Sequence, residues 1–165
     1  MDIQKFTIKE YQSYDRKQIL ELMQEFSNFY IPLNPYNRVP HKPGVATYFT
    51  NSMIRKAKNK HGKVYVAVNK DKVIGLISFY LRKQPKQDTF EVIDMKMGYI
   101  YMLFVQEQFR GHHAGKILIE KAEEYFKQQG CTHSELGVFG PNIRAHEFYI
   151  ENGYANRDIN MIKAL

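Results

Sequence analysis

The chain has 165 residues, 44% of them hydrophobic and 25% charged, with ten glycines and six prolines. That is one domain's worth of sequence with enough apolar content for a core, and it excludes a disordered or fibrous chain. A single cysteine, Cys131, excludes a disulfide framework and an all-cysteine zinc site, while 24 basic against 17 acidic residues (net +7) point to an anionic partner: nucleic acid, a membrane surface or a phosphate-rich cofactor.

Taken in chain order, residues 6–11 alternate apolar and polar, as a short first strand does. From Asp15, a candidate N-cap, Ile19, Leu22, Met23, Phe26 and Tyr30 recur at helical spacing. Four prolines between Ile31 and Gly44 predict a loop, and a second helix is expected over about residues 45–58. KVYVAVN (63–69) and VIGLISFYLR (73–82), separated by Lys70-Asp71-Lys72, predict a β-hairpin. Residues 84–97 give no clear element. Tyr99 to Val105 is apolar throughout, which predicts a strand buried on both faces.

A polar loop over 106–115 then leads into a helix whose inward set is Ala114, Ile117, Leu118, Ala122, Tyr125 and Phe126, ended by Gly130. A strand over 132–138 and a helix over 142–152, with Ala145, Phe148 and Tyr149 inward, precede Gly153. Residues 154–165 read as a last strand or hairpin. The order β-α-α-β-β-β-α-β-α-β is mixed α/β, without repeat or linker, so residues 1–165 are expected to form a single domain. No apolar run is long enough for a bilayer span, and MDIQKFTIKEY lacks a charged-then-apolar leader, so the expected location is cytoplasmic, with no membrane partner.

The densest basic cluster is Arg55, Lys56, Lys58, Lys60, His61 and Lys63. It lacks the interleaved aromatics of a single-strand binder and any DNA-binding motif, and reads as a solvated helix end and loop. No metal-ligand spacing is present: His112 and His113 are adjacent, and His146-Glu147 is followed by Ile150 where a second histidine would stand. Cys131 reads as a buried structural thiol.

The informative stretch is VQEQFRGHHAGKIL, residues 105–118: a strand, a short polar loop with glycine, then a helix start. A helix N-terminus offers unpaired N–H groups and a positive dipole end, glycines allow close backbone approach, and Arg110 and Lys116 add cations there. This predicts a pyrophosphate-binding loop. It is neither a P-loop nor a dinucleotide fingerprint, since both glycine patterns are absent.

Together with NIRAHEFYIENGY (142–154), the stretch resembles the GNAT-type N-acetyltransferases, which use acetyl-CoA. That family's cofactor loop reads approximately [QR]-x-x-G-x-[GA], matched here by Arg110, Gly111 and Gly115. Its following helix reads approximately N-x-x-A-x-x-F-Y-x-x-x-G-[FY], matched in full by Asn142, Ala145, Phe148, Tyr149, Gly153 and Tyr154. The loop departs at its inner glycine, which is His113 here and narrows the room for the pyrophosphate.

The resemblance implies a single N-acetyltransferase domain with a mostly antiparallel central sheet, flanked by helices and with splayed central strands. It implies transfer of an acetyl group from acetyl-CoA to a primary amine of a small molecule or peptide through a ternary complex. Cofactor contacts are expected from backbone near Leu103, Phe104 and Val105, from the loop Arg110, Gly111, His112, His113, Ala114, Gly115 and Lys116, and from Asn142. Tyr149 would face the sulfur as general acid. The family's strand glutamate is not found: the corresponding positions hold Tyr101 or Met97, which leaves Glu91, Asp94 and Glu135 as bases. Tyr30, Tyr36, Tyr80 and Tyr101 suggest an aromatic-lined acceptor pocket, walled by residues 30–44 and 84–97. A non-catalytic acyl-CoA sensor and a basic nucleic-acid-binding domain are the alternatives, though nucleic acid is not favoured, and a homodimer is left open.

Overall fold

The structure, a computed structural model, describes residues 5–34, 42–82 and 95–165. Its elements run β1 (Thr7–Glu10), α1 (Arg16–Tyr30), α2 (Val45–Asn59), β2 (Lys63–Asn69), β3 (Lys72–Arg82), β4 (Met97–Val105), α3 (Ala114–Gln128), β5 (His133–Leu136) and α4 (Ile143–Glu151). The strands form one sheet in the order β1-β2-β3-β4-β5, antiparallel except for the β4–β5 pair. This is the mixed α/β, mostly antiparallel architecture that the sequence led us to expect.

Two apolar layers hold the sheet. On one face, α1 and α2 bring Ile19, Leu22, Met23 and Met53 against Val66, Leu76, Met102 and Phe104. On the other, Leu118, Ile119, Ala122 and Phe126 of α3 cover Ala67, Ile74, Ile77, Phe79 and Ile100. The helical spacing of each set makes the stripe, and each fully buried side chain of this size contributes about 1.5–3 kcal/mol. Ile119 belongs to the buried stripe, whereas Ile117 and Tyr125, expected inward, lie half-buried at its margin. A Cβ at Gly98 would sit 2.2 Å from the Phe126 ring, so a glycine on β4 is what lets α3 lie this close. The β2–β3 hairpin turns on Lys70 and Asp71, both with positive φ (44° and 64°), as a two-residue primed turn requires.

Several expectations are corrected. The strand buried on both faces is β3, where Val73 to Tyr80 are all buried, and not β4, whose Met97, Tyr99, Tyr101 and Leu103 are half-exposed. β3 is the middle strand and is covered by both helical layers, whereas β4 lies nearer the edge. Asp15 makes no side-chain cap to α1; its buried carboxylate accepts from Lys9 Nζ at 2.7 Å and from the Gln12 N–H at 2.9 Å, closing the turn before the helix. Residues 154–165 form neither strand nor hairpin, and Ile159, Met161 and Leu165 are exposed. An apolar run becomes a strand only where it takes up a sheet edge, and this one takes up none. Tyr154 is nonetheless anchored, its hydroxyl donating to Glu123 at 3.0 Å beside Ser134 Oγ at 2.9 Å.

Candidate active site

Two irregularities of β4 shape the site. Ser78 pairs with Met102 but Phe79 pairs with Ile100, so Tyr101 is an extra residue with no partner on β3. Such a bulge resets the alternation of side chains. Tyr101 and Met102 therefore both pack with the α1–α2 layer, while Ile100 and Leu103 pack with the α3 layer. The parallel ladder to β5 covers Met97 to Ile100 and ends at the pair Ile100–Leu136. From Tyr101 onward the edge of β4 that faces β5 carries no strand among the described residues. The strands part there into a fork with its apex at the bulge.

Alternation decides which β4 groups face the fork. The Gln106 N–H donates to the Ile74 carbonyl at 2.9 Å, toward β3. Phe104, two residues back, shares that direction, so Leu103 and Val105 turn their N–H and C=O groups to the fork. Arg110 Nε agrees, donating to the Val105 carbonyl at 2.9 Å. Phe104 is thus a correction: its backbone faces β3 and its ring packs edge-on to Phe26, with centroids 5.6 Å apart.

The open end of the fork leads to the 110–116 loop. Gly111 and His113 both hold left-handed backbone (φ 81° and 63°), and His113 is the N-cap of α3 without capping it by side chain. The first intrahelical bond runs from the Ile117 N–H to the His113 carbonyl at 3.0 Å. The N–H groups of Ala114, Gly115 and Lys116 are therefore free of helical acceptors, at the positive end of a 15-residue helix. That is a seat for an anion.

Arg110 lies partly buried, with its guanidinium 5.2 Å from the Phe29 ring and 5.5 Å from the Phe104 ring. Burial, and then the nearby Arg144, hold its pKa below the ordinary arginine value. Two guanidiniums so placed gain from an anion between them. Arg144, in the first turn of α4, was missed in the sequence although it stands inside the matched motif. Lys116 is exposed. Gly115 serves packing: a Cβ there would lie 3.2 Å from Phe148 Cζ, so its absence lets α4 dock on the first turn of α3. His112 and His113 border an opening of about 720 Å³ between β1 and α3, lined also by Phe6, Ile8, Gly111, Ile117 and Lys121.

On α4, the Asn142 side-chain carbonyl accepts from the Ala145 N–H at 3.3 Å and so is spent on the helix cap; its amide N–H groups remain for a ligand. Tyr149 packs beside Phe148 and Tyr154, with ring centroids at 5.4 and 5.9 Å. Burial pushes its phenol up to about 12. The hydroxyl has no hydrogen-bond partner among the described residues.

On the opposite side of the apex, Tyr30 stacks on Phe139 of the β5–α4 loop at 4.7 Å, so the end of α1 spans the fork. Burial, and then Tyr101, raise the Tyr30 phenol. Tyr101 and Ser52 share a hydroxyl–hydroxyl hydrogen bond of 3.1 Å. Tyr80 lies 6.3 Å from Tyr101, centroid to centroid. Three of the four expected acceptor tyrosines therefore form one group; Tyr36 lies outside the described residues, as do Glu91 and Asp94. Glu135 stands opposite Tyr99 on β5, accepts from Arg82 and lies 3.8 Å from Arg157, so its carboxylate is engaged at the closed side of the apex. Cys131 is half-buried, and burial raises its thiol.

Comparison with known proteins now bears on this geometry. The model of the acetyltransferase (GNAT) family matches residues 19–154. The chain belongs to the GNAT family. An aminoalkylphosphonate N-acetyltransferase of Salmonella typhimurium is 29% identical over 100 residues, covering 61% of each protein, and an uncharacterized N-acetyltransferase of Archaeoglobus fulgidus is 44% identical over 54 residues, covering 33% of this chain and 37% of its own. The chain thus spans between about a third and three fifths of the length of these two relatives. A putative acetyl transferase from Pyrococcus furiosus has the same fold, with a TM-score of 0.74 and 25% identity over 98% of this chain and 100% of its own. AAC(6')-Iy, solved in complex with the bisubstrate analog CoA-S-monomethyl-acetylneamine, shares the fold at a TM-score of 0.69 and 15% identity, over 98% and 99% of the two chains.

Within this GNAT fold, the residues missed in the sequence share one property. Arg144 and Phe139 meet partners distant in sequence, Arg110 and Tyr30. The place of Arg144 inside the Asn142–Tyr154 motif was the one local sign; Phe139 had none.

Proposed function

We propose that this chain is an acetyl-CoA-dependent N-acetyltransferase acting on a primary amine, with residues 1–165 working as one domain. What carries the reading is the continuity of the fork: backbone groups of Leu103 and Val105 along one wall, an uncapped helix N-terminus with two arginines at its open end, and Tyr149 on the helix docked beside it. Acetyl-CoA supplies a thioester, whose carbonyl carbon the neutral amine attacks while the carbon–sulfur bond breaks.

The protein's part follows from its groups. The N–H groups of Ala114, Gly115 and Lys116, with Arg110 and Arg144, hold the phosphates. The Leu103 and Val105 N–H groups, fixed by the sheet, bind the pantetheine amide and the thioester oxygen, where preorganised donors stabilise developing negative charge. Tyr149 keeps its proton at neutral pH and donates it to sulfur as the thiolate leaves, while the attacking nitrogen gives up a proton to water, from which the phenol is restored. The acceptor enters from the side of Tyr30, Tyr80 and Tyr101. The amine acceptor of the Salmonella relative supports transfer to nitrogen. The free Tyr149 hydroxyl favours a catalyst over an acyl-CoA sensor.

The test is release of free CoA thiol from acetyl-CoA with a panel of primary amines, alongside thermal denaturation with acetyl-CoA. Ligand at about 100 times its Kd should stabilise the protein by about 2.7 kcal/mol. Stabilisation without amine-dependent thiol release from any amine would establish the sensor instead; neither effect would remove the cofactor assignment altogether.

A further inference from the structure

Beyond the apex of the fork, on the face covered by α2, three tyrosines carry three cations. Lys56 Nζ lies 3.9 Å from the centre of the Tyr101 ring, Lys60 Nζ 4.6 Å from that of Tyr80, and the Arg82 guanidinium 5.6 Å from that of Tyr99. The rings are contiguous, with Tyr80 stacked on Tyr99 at 5.3 Å and 6.3 Å from Tyr101. Arg82 is neutralised by Glu135. Lys56 and Lys60 make no ion pair with a carboxylate among the described residues. They stand one helical turn apart, at the end of α2, so two like charges are held on neighbouring rings without a carboxylate partner among the described residues.

A cation over a ring is attracted to its face, which fixes the ammonium groups in place but leaves their charge uncompensated. An oxyanion bridging them would supply the counter-charge that no described residue provides. The cluster is separate from the phosphate seat: Tyr101 lies four strand residues, about 13 Å, before Val105, and the 110–116 loop lies beyond that. It is contiguous with the apex through Tyr101, where the amine must arrive.

We propose that the acceptor is a primary amine that also carries an oxyanion (phosphate, phosphonate or carboxylate), and that Lys56 and Lys60 bind that group while the amine reaches the apex. The inference rests on the N-acetyltransferase reading and adds the acceptor's charge. It also means that polyamines and lysine-rich peptides are poor acceptors, because they bring like charge to the lysines.

The experiment compares kcat/KM for phosphoethanolamine, β-alanine, ethanolamine and spermidine, in the parent and in a Lys56→Gln/Lys60→Gln variant. An Arg55→Gln/Lys58→Gln variant, altered at exposed positions of the same helix end, controls for net charge. We expect the parent to prefer an anionic amine, the preference over ethanolamine to fall about tenfold in the Lys56/Lys60 variant, and the control to retain it. Raising salt should weaken the anionic acceptor selectively. The better of phosphoethanolamine and β-alanine identifies the oxyanion. Equal or better use of ethanolamine or spermidine by the parent overturns the proposal and leaves the acetyltransferase reading intact. So does an unchanged preference in the Lys56/Lys60 variant. A loss of acetyl-CoA affinity in that variant, measured by calorimetry, also overturns it by assigning the lysines to the cofactor. Failure of every amine, with acetyl-CoA still bound, defeats the acetyltransferase reading and this one with it.

Discussion

The two ends of the fork are built from different materials. At the α3 end, recognition is largely backbone: helical N–H groups, strand N–H groups, and glycines that let elements approach. At the apex, on the α2 side, it is side chains throughout: a group of tyrosines, an aromatic stack across the fork, and lysines lying over rings. A backbone site is fixed by the path of a short contiguous stretch and suits a constant ligand. A side-chain site assembled from α1, α2, β3, β4 and the β5–α4 loop can change one residue at a time, and suits a ligand that differs between relatives. On the proposed function, the shared chemistry belongs to the first end and the specificity to the second.

The sharpest test of this division is Tyr149→Phe. It keeps the ring in its packing and removes the proton, and kcat should fall by roughly 10²–10⁴ while the acetyl-CoA Kd measured by calorimetry stays near parental. Because burial pushes the phenol up to about 12, above its ordinary value, the donor form persists as pH rises, and the parent's kcat should show no alkaline fall through pH ~10. Near-parental turnover in Tyr149→Phe would make it a packing residue.

Arg110→Ala comes next. It removes a bond to the Val105 carbonyl and one of two guanidiniums at the phosphate seat, and acetyl-CoA affinity should drop about 10- to 100-fold, with acceptor KM little changed at saturating cofactor. An unchanged Kd in the folded variant would move the phosphate seat elsewhere, with the opening between β1 and α3 the place to look.

On the acceptor side the expected effect is smaller and falls on a different constant. Tyr101→Phe loses the contact to Ser52 Oγ, worth about 1 kcal/mol, and should raise the acceptor KM severalfold without moving the acetyl-CoA Kd. A shift in the cofactor Kd alone would break the proposed division. The smallest effect is expected of His113→Gly. The left-handed conformation costs histidine about 1–2 kcal/mol, and glycine's greater unfolded-state freedom offsets about half of that. Thermal denaturation should therefore show a gain of no more than about 1 kcal/mol, with acetyl-CoA bound at least as tightly as by the parent. Loss of affinity would show the imidazole to be a phosphate ligand.

By itself the sequence determined the elements with strong local signals. Helical spacing in Ile19–Tyr30 and Ala114–Phe126, β-rich runs flanking Lys70-Asp71, and glycine ends at Gly130 and Gly153 are decided within a few turns of chain, and all of these elements form. The 110–116 loop and the Asn142–Tyr154 motif were legible for the same reason: each is a contiguous stretch whose residue types stand at fixed spacing. What only the tertiary structure decided depends on pairing between distant segments. The bulge at Tyr101 exists only against β3, and it puts Tyr101 and Met102 side by side on the α1–α2 face. The exclusion of Phe104 from the fork follows from the same register. The apolar tail promised a strand because its residue types were right, but a strand needs an edge to pair with, and that is not a property of the segment. The basic run 55–63 read as solvated because charge runs usually are. Two of its lysines instead lie over rings from strands that the sequence places up to 45 residues away, as the numbering of Lys56 and Tyr101 shows. Charge is written in the sequence, but whether a charge meets water, a ring or a ligand is set by what the fold brings beside it.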